Sequence, residues 1–169
     1  MSLSTTLLPE FDQETANLRR TLERVPDEKL DWKPHPKSMS LGGLATHLAN
    51  MLTWVNHTLE ASELDMAPGG KPLKAAELRS RAGILAAFDA NSAAAHRALA
   101  GASDATLAGP WSLLAGGKTL LTLPRTACLR SFVLNHMIHH RGQLTVYLRL
   151  LDVPLPALYG PSADEGRLG

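Results

Sequence analysis

Three of the seven histidines in this 169-residue chain lie close together, at His136, His139 and His140. They belong to the stretch "NHMIHHRGQLTVY", where the spacing of the apolar residues is typical of the buried face of a helix. Burying an imidazole ring costs free energy unless its nitrogen atoms find partners. The stretch therefore predicts either hydrogen-bonded core histidines or a metal site inside a helical domain.

A helical projection, at about 100° per residue, places His136 and His140 on the inward face together with Gln143 and Tyr147. Residues four apart on a helix have Cβ atoms about 5–6 Å apart, which lets two imidazoles bind one metal ion. Gln143 and Tyr147 are predicted to lie behind the ligands, where Gln143 orients a ligand or a bound water. His139 lies about 60° off the centre of the face, and we expect it to transfer protons or to line the mouth of the site.

The third metal ligand is predicted to come from another helix. His47 flanks an apolar stripe that contains Leu44 and Met51. Three neutral imidazoles from two helices leave coordination positions open, which is typical of catalytic metal sites rather than structural ones. Such a donor set suits zinc, nickel, copper or iron. Histidines that only form hydrogen bonds in a core remain the alternative.

The elements that position these histidines follow from the apolar periodicity, which predicts four helices in one domain over residues 1–169. Their ranges are about 4–25, 41–62, 74–100 and 125–152. Two apolar runs around Ala-Gly-Gly-Lys, at 109–124, predict a small β-hairpin or an extended excursion before the fourth helix. The predicted fold is all-α, a four-helix bundle with one long crossover. Arg141 is expected on the outer side of the fourth helix.

Charge and composition exclude several classes of function. The chain has 17 Lys and Arg against 16 Asp and Glu, so it lacks the basic surface that nucleic acids or anionic membranes require. Ser38–Leu59 carries no charged residue except histidine, but its polar positions indicate an amphipathic helix rather than a membrane span. The single cysteine, Cys128, fits a reducing cytoplasm and is expected to pack as an inert side chain.

Three segments resemble the DinB-like superfamily of damage-inducible bacterial proteins: "DWKPHPKSMSLGGLATHLANM", "NHMIHHRGQLTVYLRLL" and "VPLPALYGPSADE". The resemblance implies a four-helix bundle with a long crossover, often a homodimer. It also implies a divalent metal ion, commonly nickel or zinc, on three histidines that match His47, His136 and His140. Some members of the superfamily are similar to S-transferases and isomerases that use bacillithiol, mycothiol or glutathione.

The leading expectation is a cytoplasmic, metal-dependent enzyme that acts on small electrophilic molecules, with a low-molecular-weight thiol as co-substrate. Metal coordination would lower the pKa of a bound thiol or water, giving an S-transferase or, as second choice, a hydrolase. Two alternatives remain: a non-enzymatic metal-binding stress protein and a structural dimeric bundle. We expect a homodimer and a small-molecule substrate, and neither nucleic acid nor membrane as a partner.

Overall fold

The computed structural model of the chain describes residues 2–166. Most of this part is helical, as the periodicity predicts. The α-helices are α1 (Leu3–Leu22), α2 (Leu41–Met51), α3 (Thr53–Glu60), α4 (Arg81–Gly101), α5 (Asp104–Ala108), α6 (Arg125–Cys128) and α7 (His136–Leu150). A π-helical segment, Leu129–Asn135, joins α6 to α7 without a break, and short 3₁₀ turns lie at Asp27–Lys29 and Pro68–Gly70.

The helix predicted over 41–62 is two helices in the structure. Ser40 caps α2, since its Oγ accepts a hydrogen bond from a backbone N–H of the first turn at 2.9 Å. The break falls at Leu52, between α2 and α3. There the hydroxyl of Thr53 donates to the carbonyl of Asn50 at 2.8 Å, a local bond of the kind that competes with helical hydrogen bonding.

Residues 74–80, predicted as the start of the third helix, instead belong to an irregular segment, 71–80, that leads into α4. The backbone N–H of Leu78 donates to Oγ1 of Thr46, on α2, at 3.0 Å. Ser80 then caps α4, which begins at Arg81. A tertiary hydrogen bond and a cap thus override the helix propensity of the alanines in this segment.

The hairpin predicted at 109–124 is present, and a third strand that the sequence did not predict joins it, so the mostly helical fold carries a small sheet. The strands are β1 (Glu63–Asp65), β2 (Pro110–Ala115) and β3 (Lys118–Pro124), with β1 parallel and β3 antiparallel to β2. Gly116 and Gly117 form the turn with φ values of 61° and 77°, which favour glycine. The carboxylate of Asp65 accepts hydrogen bonds from both of their N–H groups and fixes β1 to the turn.

The hydrophobic core lies between the long helices, where α1 and α2 each pack against both α4 and α7. Its members include Phe11, Leu18, Leu22, Leu44, Leu48, Val55, Ile84, Phe88, Leu99, Val133, Leu144 and Leu148. The fold is therefore mostly helical with a small three-stranded sheet, while its description as a four-helix bundle stays a prediction. Within residues 2–166 no helix has the length and apolarity that crossing a membrane requires.

Arg141 lies in the interior, so its predicted outward position on the fourth helix is wrong. Its side chain is 2% exposed and lies 2.7 Å from the carboxylate of Glu14 on α1. The hydroxyl of Tyr159, from the C-terminal segment, donates to that carboxylate at 2.7 Å and also contacts the Arg141 guanidinium. The helical projection fails here because it is centred on His136, whereas the buried face of α7 consists of Met137, Arg141, Leu144 and Leu148.

We predict that Arg141→Met destabilises the protein by about 3–5 kcal/mol, because it leaves the buried Glu14 carboxylate without its charge partner. Combining it with Glu14→Leu recovers most of this loss, because both charges then leave the interior. Urea denaturation at pH 7 measures both effects. The control is Arg130→Met, which breaks a half-exposed pair with Glu10 and is expected to cost about 0–1 kcal/mol. A loss at Arg141 no larger than the control would contradict the prediction.

Candidate metal centre

The π-helical segment sets the orientation of the first histidine of α7. The backbone N–H of His136 donates to the carbonyl of Val133, three residues back rather than the usual four. The carbonyl of Phe132 acts as an acceptor for the His136 ring. A π-turn adds a residue to the helical repeat and is frequent at functional sites. Here it places His136 so that one ring nitrogen faces the helix backbone and the other faces His140.

The structure brings His47, His136 and His140 together, all three half-buried. One nitrogen from each ring lies within 4.8 Å of the other two. Nε2 of His136 and Nε2 of His140 are 2.8 Å apart. The ring of His47, on α2, lies with its centroid 5.2 Å from that of His136 and 4.8 Å from that of His140. The cluster thus joins α2 to α7.

Hydrogen bonds fix which nitrogen of His140 is free. Nδ1 of His140 lies 2.7 Å from Oε1 of Gln143. An amide oxygen only accepts, so Nδ1 carries the proton and Nε2 presents a lone pair. Nε2 of His136 lies 2.8 Å from this lone pair. With its proton on Nε2, His136 donates a hydrogen bond to His140, and with its proton on Nδ1 it presents a second lone pair to a metal ion.

A tetrahedral metal ion fits this donor set. Zinc–nitrogen bonds of about 2.0–2.1 Å place two ligand nitrogens about 3.4 Å apart. This separation falls between the 2.8 Å of the closest pair and the 4.8 Å limit of the cluster. Small side-chain movements would therefore bring all three nitrogens to metal-bonding distance. The protonated Nδ1 of His140 on Gln143 is the usual support of a metal-bound imidazole.

Burial keeps the rings neutral, which metal ligation requires. Burial, and after it the neighbouring His140 and His136 rings, lowers the pKa of His47 to about 4. The pKa of His136 is lowered by burial and then by His140. At neutral pH both rings therefore offer lone pairs rather than positive charge.

A cleft of about 310 Å³ opens beside His47 and His136. Its walls are largely apolar, and the rings of Trp54 and Phe132 pack in it with centroids 5.9 Å apart. We call it the apolar cleft. Its volume suits a small organic molecule, which would lie directly against two of the three histidines.

The other predicted site residues lie in different positions. Gln143 contacts His140, whereas the hydroxyl of Tyr147 points to the carbonyl of Met39 at 3.4 Å and not to a histidine. His139 is exposed, with its ring centroid 4.9 Å from that of His140, and it does not line the apolar cleft. The sequence analysis did not identify the residues that line the apolar cleft, among them Phe132. The only sequence signal for Phe132 was its position one helical turn before His136.

These features define a mostly helical protein with a half-buried three-histidine cluster beside the apolar cleft. Residues 1–167 match the sequence profile of the DinB family, and the chain belongs to that family. A stretch of 37 residues is 43% identical to the uncharacterized protein YrdA of Bacillus subtilis, covering 22% of this chain and 22% of that protein.

Two solved structures have the same fold. A DinB-like protein of Bacillus subtilis, YjoA, is 18% identical to this chain and superposes with a TM-score of 0.69. The match covers 89% of this chain and 95% of the YjoA chain. A DinB-like protein of Bacillus cereus is 22% identical to this chain and superposes with a TM-score of 0.69. The match covers 90% of this chain and 95% of the Bacillus cereus chain. At these identities the comparison establishes the fold.

The lowered pKa of His47 predicts a pH dependence for the metal-free protein. Between pH 4 and 6.5 the unfolded chain binds more protons at this residue than the folded one, so the free energy of unfolding rises with pH. We expect stability to be lost as pH falls from 6.5 towards 4, and His47→Leu to flatten this part of the profile.

Urea midpoints at pH 4.5, 5.5 and 7 measure this dependence in metal-free protein. The matched control is His35→Asn, which changes an exposed histidine outside the cluster. Profiles of equal slope in wild type and His47→Leu would contradict the assignment of the slope to His47.

Proposed function

We propose that the protein binds one divalent metal ion through His47, His136 and His140 and uses it on small electrophilic molecules. The observation that carries the proposal is the convergence of three imidazole nitrogens within 4.8 Å of one another, with the ring of His47 neutral at pH 7. Membership of the DinB family and the donor set are both compatible with such an ion. Nickel and zinc are the metals we favour.

The proposed chemistry is transfer of a thiol sulfur to an electrophilic carbon, with hydrolysis as second choice. A divalent ion bound by three imidazoles supplies Lewis acidity that lowers the pKa of a thiol or water. The apolar cleft would hold the electrophile against Trp54 and Phe132 and exclude bulk water. Gln143 would keep His140 in the tautomer that ligation needs. His139, exposed beside His140, would pass the released proton to solvent.

A stress protein that only stores or is stabilised by the metal ion is the competing proposal, and a purely structural bundle is the third. The cleft beside the histidines favours the enzyme over both, because a closed structural site needs no adjoining space. A homodimer and a cytoplasmic location remain predictions from the sequence.

We predict about one equivalent of metal in wild-type protein purified without a nickel column, and almost none in the double variant His136→Ala, His140→Ala. Removing two of three ligands leaves a single imidazole, which cannot hold the ion. Mass spectrometry of the metal content measures this, with His139→Ala as the matched control in the same helix. No metal in the wild type after incubation with zinc or nickel would contradict the proposal.

A second prediction separates the enzyme from the stress protein. Zinc at 100-fold its dissociation constant should raise the free energy of unfolding by about 2.7 kcal/mol, under either proposal. The enzyme should in addition consume a thiol-reactive electrophile only when metal and thiol are both present. Zinc stabilisation with no thiol-dependent turnover across a panel of thiols and electrophiles would leave the stress protein as the function.

A further inference from the structure

Two ring contacts lie side by side in the apolar cleft. The rings of His47 and His136 have centroids 5.2 Å apart, and those of Trp54 and Phe132 have centroids 5.9 Å apart. Phe132 precedes His136 by about one helical turn, a rise of about 6 Å along the axis. All four side chains line the same cleft of about 310 Å³. A molecule that packs on Trp54 and Phe132 therefore also lies beside His136.

Trp54 is held in place from behind by a second tryptophan. The ring of Trp111, on β2, is fully buried, and its centroid lies 6.3 Å from that of Trp54. Nε1 of Trp111 donates to the carbonyl of His57, on α3, at 3.2 Å. Aromatic pairs at such distances stabilise one another, so Trp54 has an aromatic neighbour in both Trp111 and Phe132. The aromatic wall is thus formed before a ligand binds, which lowers the cost of binding.

The other apolar residues of the cleft are two methionines and two leucines, namely Met51, Met66, Leu64 and Leu73. The backbone N–H of Leu73 donates to the carbonyl of Met66 at 2.8 Å, which fixes the part of the wall that lies outside the helices. Thioether sulfur makes favourable contacts with aromatic rings, as do the rings of Trp54 and Phe132. These walls favour an aromatic ligand over an aliphatic one of the same size.

The cleft carries no side chain that would balance a charged ligand. Among the described residues that line it, none is Asp, Glu, Lys or Arg. Asp65 lies between two lining residues in the sequence, but its carboxylate already accepts hydrogen bonds from the backbone N–H groups of Ala67, Gly116 and Gly117. Burying a charge without a partner costs free energy. The cleft therefore favours an uncharged molecule.

We propose that the apolar cleft binds an uncharged molecule with an aromatic ring, and that Trp54 is the residue that recognises the ring. The ring packs on Trp54 and Phe132, and a substituent on the ring extends towards His47 and His136. The inference rests on the proposed metal-dependent function and adds to it the class of electrophile.

The test compares three small molecules that differ in one property each. Benzyl alcohol is aromatic and uncharged, cyclohexylmethanol replaces its ring by an aliphatic one, and benzoate adds a negative charge. Each is titrated into metal-free protein at pH 7.5, so that no ion can bind the carboxylate. The methyl NMR signals of Met51 and Met66, which line the cleft, report the dissociation constants.

The variants are Trp54→Leu and, as a second change to the same wall, Phe132→Leu. The matched control is Trp32→Leu, since the ring of Trp32 packs against Tyr147 and does not line the cleft. A separate titration of the wild type with zinc tests the proposed function independently of the aromatic probes.

We expect the wild type to bind benzyl alcohol about threefold to tenfold more tightly than cyclohexylmethanol, and benzoate at least about tenfold more weakly than benzyl alcohol. Trp54→Leu should abolish the preference for the aromatic ring, Phe132→Leu should reduce it, and Trp32→Leu should leave it unchanged. Equal binding of the two alcohols, or a preference that survives in Trp54→Leu, would overturn the inference and leave the metal site intact. Failure of the wild type to bind zinc would instead remove the proposed function, and with it the assignment of the aromatic molecule as the electrophile.

Discussion

The convergence of three imidazole rings from two helices, with Nε2 of His136 and Nε2 of His140 2.8 Å apart, is the constraint on which the site depends. Burial lowers the pKa of His47 and of His136, so these two rings are neutral at pH 7 and can act as ligands. The ring of His47 completes the set only because α2 packs against α7. A metal ion bound by all three rings would couple the packing of these two helices to its own binding, since ligands that assemble only on folding add their binding energy to stability.

The orientation of α7 depends on a second polar contact, on another side of the same helix. His140 faces the cluster, while the next residue, Arg141, reaches Glu14 on α1 and Tyr159 of the C-terminal segment. Buried ion pairs stabilise a fold weakly, and in some proteins they select one packing arrangement over others. In this protein the pair holds the helix that carries two of the three histidines against α1.

The sequence predicted the parts of the site that follow from helical periodicity. The spacing of His136 and His140 and the flank position of His47 sufficed to bring the three together, because each lies on a regular helix that buries one face. The hairpin at 109–124 followed from its turn glycines.

What the sequence did not predict depends on contacts between distant segments. β1 joins the hairpin because Asp65 binds the turn. Residues 71–80 are irregular because Leu78 and Glu77 bind α2 and its N-cap. Neither contact leaves a periodic signal in the sequence.

X-ray absorption at the zinc edge of the reconstituted protein tests the central claim most directly, because it counts the imidazoles around the ion. We expect three histidine nitrogens at about 2.0–2.1 Å from the zinc ion, with one or two oxygen or nitrogen donors completing the shell. A sulfur should replace one of these additional donors when a thiol is added. A first shell with fewer than three imidazoles, or one made of carboxylate oxygens, would contradict the assignment of His47, His136 and His140 as the metal ligands.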